Sequence, residues 1–164
     1  MRALGSSIDA GAALLGFVGL AVDLGLSYVD RVRARRAADA AALAAASELP
    51  LETAAHARAL EYLEANGYPC GLTVEIISGN LTYSCSNTET RVEVNSGYSE
   101  SYISGPEPEV AERIIRINTV PYRDNVYAPN SANRIEVDVQ QVSSLYFMQI
   151  FGMDSVQVSG RAVG

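Results

Sequence analysis

A chain of 164 residues holds one domain of ordinary size with one extended element attached. It carries twelve arginines, no lysine, nineteen acids and one histidine, and its net charge is −7. Residues 1–50 hold five arginines and five acids, so the whole excess of acid lies in residues 51–164, which argues against a nucleic-acid partner needing a basic face.

The first element is a long helix. No proline interrupts residues 1–49, and the stretch "DRVRARRAADAAALAAASEL" is dominated by strong helix formers, which predicts one helix from about Ser6 to Leu49. Its first half is apolar: Ala10–Val22 is uncharged, and Ile8–Val29, with Asp23 accepted, is about 33 Å of helix against a hydrocarbon core of about 30 Å. A membrane anchor is therefore expected there. A cleavable secretory peptide is the rival reading, disfavoured because Asp9 precedes the apolar core and arginines follow it without a small-residue cleavage site. The arginines at 31, 33, 35 and 36, taken alone, place the following head in the cytoplasm, whereas the polar, cysteine-bearing head argues for the outside.

Such a rod outruns a domain of this size and must pack on something else. Small residues four apart, Ser7/Gly11, Ala12/Gly16 and Ala21/Gly25, allow close helix approach, and Ala37–Ala46 extends the theme. A GC-rich codon bias is the bland alternative for the alanines. The candidate subunit-packing residues are Asp9, Gly11, Gly16, Asp23, Gly25, Arg31 and Arg33. A lone carboxylate inside an apolar helix is costly, so Asp23 is expected to bond to Arg31 or Arg33 of a neighbouring copy, or to meet its small-residue face.

Pro50 ends the rod and divides the chain into residues 1–49, the helix, and 50–164, a globular head. Residues 51–67 predict a second helix, with Leu51, Ala55, Ala59 and Tyr62/Leu63 as its apolar stripe and Asn66-Gly67 as its stop. His56 on it is expected at the surface or boundary. The period then changes to two: residues 72–78, 80–86 and 90–96 read as an antiparallel meander, 97–108 as a polar loop, 112–120 as a further strand and 123–134 as an exposed loop. Residues 134–142 form a strand, 143–152 a short apolar helix capped by Ser143 or Ser144, and 155–163 the closing strand. The fold class is α+β: a long N-terminal helix, a short helix and an antiparallel sheet of five or six strands.

Cys70 and Cys85 are either two unrelated buried thiols or a disulfide; their spacing suits a bridged hairpin, which would place the head in an oxidising compartment. Asn80-Leu81-Thr82 is an N-glycosylation sequon, which makes Asn80 a candidate site. One histidine and two cysteines make no zinc set, residues 123–133 lack the spacing of a calcium loop, and no phosphate-cradling glycine loop or catalytic triad is legible. No enzyme activity, metal or cofactor is expected.

The apolar run ending in Gly-Leu-Ala-Val-Asp-Leu-Gly, then a tyrosine, an arginine-rich turn and Ala-Ala-Asp-Ala-Ala-Ala-Leu-Ala, resembles the N-terminal segment of TadE/TadG-like proteins of the tight-adherence (Flp) pilus system. The segment "VSSLYFMQIFGMDSVQVSGRAV" is similar to the closing pattern of that family. The resemblance implies a type IV pilin-like protein: a pilus subunit that sits in the inner membrane before assembly and polymerises with copies of itself into an extracellular filament, in contact with the assembly machinery. It also admits a minor, membrane-retained assembly or adhesin component. A membrane-anchored extracytoplasmic binding module is a third reading, from another class. Pilins of this type carry a glutamate at the fifth mature position; here the fifth residue is Gly5, and Asp9 would be fifth only if the mature chain began at Gly5.

Overall fold

The computed structural model describes the backbone of residues 3–77, 79–96, 99–119 and 134–164, with side chains described from Leu14 onward except at 96 and 99–102. The loop expected at 123–134 lies, but for its last residue, outside the described residues. Helix α1 runs Ala3–Ala46, about 66 Å at 1.5 Å per residue. Ala34, Ala37, Ala38, Ala41, Ala42 and Ala45 are each at most 1% exposed. Their alternating spacing of three and one places them on a single face, and that face is covered by the chain's own head. The Ala-rich block expected to meet other helices thus packs within the molecule.

The chain turns at Leu49-Pro50 and re-enters helix as α2, Glu52–Ala65, which ends at Asn66 and Gly67. Ala55, Ala59, Leu60 and Leu63 are buried against α1, whereas Leu51 and Tyr62 point outward and do not join the expected stripe. His56 is not at the surface: it is buried, 5% exposed, with Nδ1 3.4 Å from the Tyr83 hydroxyl.

Among the described residues seven strands follow: β1 Leu72–Ile77, β2 Asn80–Cys85, β3 Thr90–Ser96, β4 Ser99–Ser104, β5 Arg113–Asn118, β6 Glu136–Ser144 and β7 Ser155–Val163. They form a two-stranded hairpin, β1-β2, and a five-stranded sheet ordered β4-β3-β5-β6-β7. The expected meander of the first three strands is corrected here. β3 leaves the hairpin and pairs in parallel with β5, Val92 opposite Ile115 and Val94 opposite Ile117. The reason is burial. β1 is exposed along most of its length and needs little cover, whereas Thr90, Arg91, Val92, Glu93 and Val94 are all buried and require a neighbour on each side.

Two further corrections concern the ends of that sheet. Part of the segment expected as a polar loop, 97–108, is the edge strand β4, whose Ser/Glu composition carries little apolar alternation because only one side is paired. The expected capped helix at 143–152 is instead the end of β6 followed by a 3-10 turn, Met148–Phe151; no side chain caps it, and the Ser143 hydroxyl donates to Asp30 Oδ2 at 2.7 Å.

Val92, Val94, Ile115, Ile117, Val137 and Val139 form the apolar face of the large sheet and share one core with the alanine stripe of α1 and with Leu60 and Leu63 of α2. The core therefore crosses the sequence boundary at residues 49/50: the second half of α1 belongs to the same hydrophobic unit as the head. The fold is α+β, with one parallel pair in an otherwise antiparallel sheet. Among the described residues no helix is long and apolar enough to cross a membrane.

Candidate functional site

The β6-β7 hairpin runs down α1 and sets the geometry of the site. Gly160 in β7 lies on the backbone of Ala34 and Arg35. Nearer the helix start Ser143 bonds to Asp30. At the hairpin tip the backbone N–H groups of Tyr146, Phe147 and Met148 all donate to the Asp23 carboxylate, at 2.9, 2.9 and 2.8 Å. One turn below, the Phe147 ring occupies the space over Gly19, where a Cβ would stand 2.6 Å from ring carbons. Each step along the hairpin thus meets α1 one or two turns further toward the helix N-terminus.

Asp23 is 1% exposed, so an unpaired charge there would be costly. Three backbone donors fix it instead, an arrangement in which charge-assisted bonds are about twice as strong as neutral ones. Within the single chain it is these main-chain groups, not an arginine, that satisfy the carboxylate. Arg31 and Arg33 are exposed, and the only described ion pair of Arg33 is a long one to Asp30, at 3.9 Å. The carboxylate organises its own chain: it pins the tip of the last hairpin to the apolar part of the first helix.

Around that junction the surface is apolar. Leu14, Leu15, Phe17, Val18, Val22 and Leu24 are exposed on α1, and only the Gly19–Asp23–Ser27 side faces the head. The tip adds Tyr146, Ile150, Phe151 and Met153, with Ile150 81% and Phe151 73% exposed. Gly152, at φ +79°, closes the turn that presents them.

The other predicted residues fall as follows. Asp9 and Gly11 lie in α1, but their side chains are outside the described residues. Gly16 and Gly25 are exposed, with open space where a Cβ would stand. Cys70 and Cys85 are joined in a disulfide with Cα atoms 5.2 Å apart, tying the end of β2 to the segment before β1. Asn80 is exposed at the start of β2. No group of three or more His, Cys, Asp or Glu is placed to hold a metal ion among the described residues.

Two polar arrangements were not anticipated. Burial pushes the His56 imidazole down to about 4, against a smaller opposing pull from Glu52, and Nε2 has no hydrogen-bond partner among the described residues. The face of the large sheet away from α1 carries an ion-pair ladder: Glu93 lies between Arg91 and Arg116 at 2.5 and 2.6 Å, and Arg161 lies 2.6 Å from Glu136. Burial raises the Glu93 carboxyl, but the two guanidiniums outweigh it and hold it below the ordinary range. A shallow groove of about 480 Å³ runs over this face, with acids, arginines and amides in near balance.

Two family matches bear on the arrangement. Residues 10–48, the helix that carries Gly19 and Asp23, match the TadE/G-like Flp pilus-assembly family. Residues 30–163, from Asp30 to the end of β7, match the Tad-like Flp pilus-assembly family. The chain belongs to the Tad-like Flp pilus-assembly family. No curated protein and no solved structure shows a significant match. As a Tad-like pilus-assembly protein it is related to the pilus machinery and belongs to the cell envelope or surface. The two matched segments overlap at residues 30–48, and the bonds from Tyr146, Phe147 and Met148 to Asp23 join the part matched by the first family alone to the part matched by the second.

Proposed function

We propose that this protein is a structural, pilin-like subunit of a Tad pilus, without catalysis of its own. In this reading the first half of α1 is held in the inner membrane before assembly and packs against copies of itself in an extracellular filament afterwards, with the heads outside. The observation that supports it is the one-sided cover of α1: between Leu14 and Val29 only a narrow strip meets the head, and the rest is exposed and apolar. A helix apolar nearly all round belongs in lipid or among other helices. Gly16 and Gly25, open in the single chain, are the places where another helix backbone approaches closely.

The test is Gly16→Phe, which adds bulk where the single chain has room. Folding and membrane level stay at wild type, while sheared surface material, viewed by electron microscopy and identified by mass spectrometry, loses its fibres. Wild-type fibres from the variant, or fibres lacking this protein, refute the reading.

A second reading, a minor component retained in the membrane, draws on the internal use of Asp23. The one acid in the described apolar segment already has its partners and requires no neighbour. The ratio of this protein to the main fibre protein in purified pili separates the two: near parity supports the subunit, a few copies per fibre the minor component.

A further inference from the structure

The tip of the β6-β7 hairpin is exposed, aromatic and fixed beside the apolar segment of α1. Tyr146, Phe147, Ile150, Phe151 and Met153 stand out from the protein, whereas Val137, Val139 and Val158 in the strands behind them are buried. Their position is enforced by the Asp23 carboxylate and by Phe147 seated on Gly19. The tip therefore lies at the level of residues 19–23, within the apolar zone of the helix and about 10–16 Å below Asp30.

Immediately beyond that zone α1 presents Arg31, Arg33, Arg35 and Arg36, all exposed, on a protein whose net charge is −7. Aromatic and apolar side chains at one level, with arginines that begin about two turns beyond Asp23, about 12 Å away at Arg31 and about 20 Å at Arg36, complement the acyl boundary and anionic headgroups of a bilayer in that order. α1 by itself is not long and apolar enough to span a membrane among the described residues, and the tip widens the anchor.

We propose that the Tyr146–Met153 tip is a second lipid-contacting element, seated at the headgroup–acyl boundary of an anionic bilayer beside α1, so that the membrane holds a helix and a loop cross-braced by Asp23. The inference rests on the membrane reading of α1 given above. It fixes the depth and tilt of the head: Arg31 and Arg33 reach the headgroups, level with Ser143 of β6 and Gly160 of β7, the part of the large sheet packed on residues 30–35.

The chain contains no tryptophan, so single tryptophans report position without background. Full-length protein carrying Phe151→Trp, Phe17→Trp or Ile76→Trp is reconstituted in phosphatidylcholine–phosphatidylglycerol vesicles whose acyl chains carry bromine at different depths. The expected result is a blue-shifted Phe151→Trp emission quenched most by shallow bromine, a Phe17→Trp emission quenched by deeper bromine, and a water-like Ile76→Trp emission. A water-like Phe151→Trp emission beside a quenched Phe17→Trp overturns the loop proposal and leaves the helix reading standing. A Phe17→Trp emission untouched by bromine overturns both. A Phe151→Trp emission shielded from acrylamide but indifferent to bromine, with shielding that rises with protein-to-lipid ratio, assigns the tip to a second copy and also overturns the proposal.

Discussion

Gly160 of β7 touches the backbone of Arg35 in α1: a Cβ on the glycine would stand 2.2 Å from the Arg35 nitrogen and 2.4 Å from the Ala34 carbonyl carbon. Both sides of the contact are main chain, so neither can swing away. Gly160→Ala is expected to push β7 off the alanine stripe and cost at least about 1–3 kcal/mol, the usual range for overpacking. Thermal unfolding of the full chain checks it, and an unchanged midpoint would show that the strand and helix are not as tightly seated as described.

Asp23→Ala strips three backbone donors of their acceptor. With part of the tip open to solvent, the expected loss is roughly 2–4 kcal/mol, felt first as loosening of residues 146–153. Limited proteolysis reads this directly: cleavage in the tip accelerates in Asp23→Ala and less so in Asp23→Asn, whose amide oxygen still accepts. Equal protection in all three proteins would remove Asp23 from its bracing role.

Breaking the disulfide by Cys85→Ser opens a loop of 15 residues and is expected to cost about 3 kcal/mol. Because the bridge anchors the β1-β2 hairpin, hydrogen exchange is predicted to rise in β1 and β2 and to change little in β5, β6 and β7. A uniform rise across both sheets would contradict that division.

His56 makes stability pH-dependent in a defined window. Its imidazole takes a proton at about 4 in the fold and near 6.5 when unfolded, so the unfolded chain binds more protons in between. Stability is therefore full above about 6.5 and falls as pH drops toward 4, by an amount on the order of 3 kcal/mol. The Glu93 carboxyl, held low, contributes stability present above its ordinary value of 4.5 and lost only as pH falls further. His56→Gln should flatten the upper part of the profile and leave the acid limb in place; denaturant titrations from pH 7 to pH 3 separate the two.

The legible parts of the molecule are those where side-chain pattern and backbone state coincide. The helix through the alanine block, α2 and the strands at β5, β6 and β7 follow from period and propensity, and the cysteine spacing suited the bridge that the fold contains. What covers the alanines was not legible, because a stripe of small residues fits a sister helix or a sheet equally well; Gly160 in the closing strand and Gly164 just after it were the available signal. The partners of Asp23 were hidden for a different reason. They are main-chain N–H groups, which every residue except proline carries, so nothing in Tyr146, Phe147 or Met148 announces them. Gly19, four residues before Asp23 and on the same face, marked only that something bulky arrives there. His56 is buried, although a lone histidine on a helix with no partner in sequence suits the surface or boundary; the Tyr83 hydroxyl beside its Nδ1 comes from a distant hairpin.

The closing strand has a consequence for how the molecule is made. The alanine flank of α1 is covered by a strand far downstream in the chain, with Gly160 of β7 lying on Ala34 and Arg35. During synthesis that flank stays bare until β7 has been made, and a polypeptide halted before Ser155 would leave its greasy side without a lid. Sealing of the helix is thus a late event in the making of this molecule.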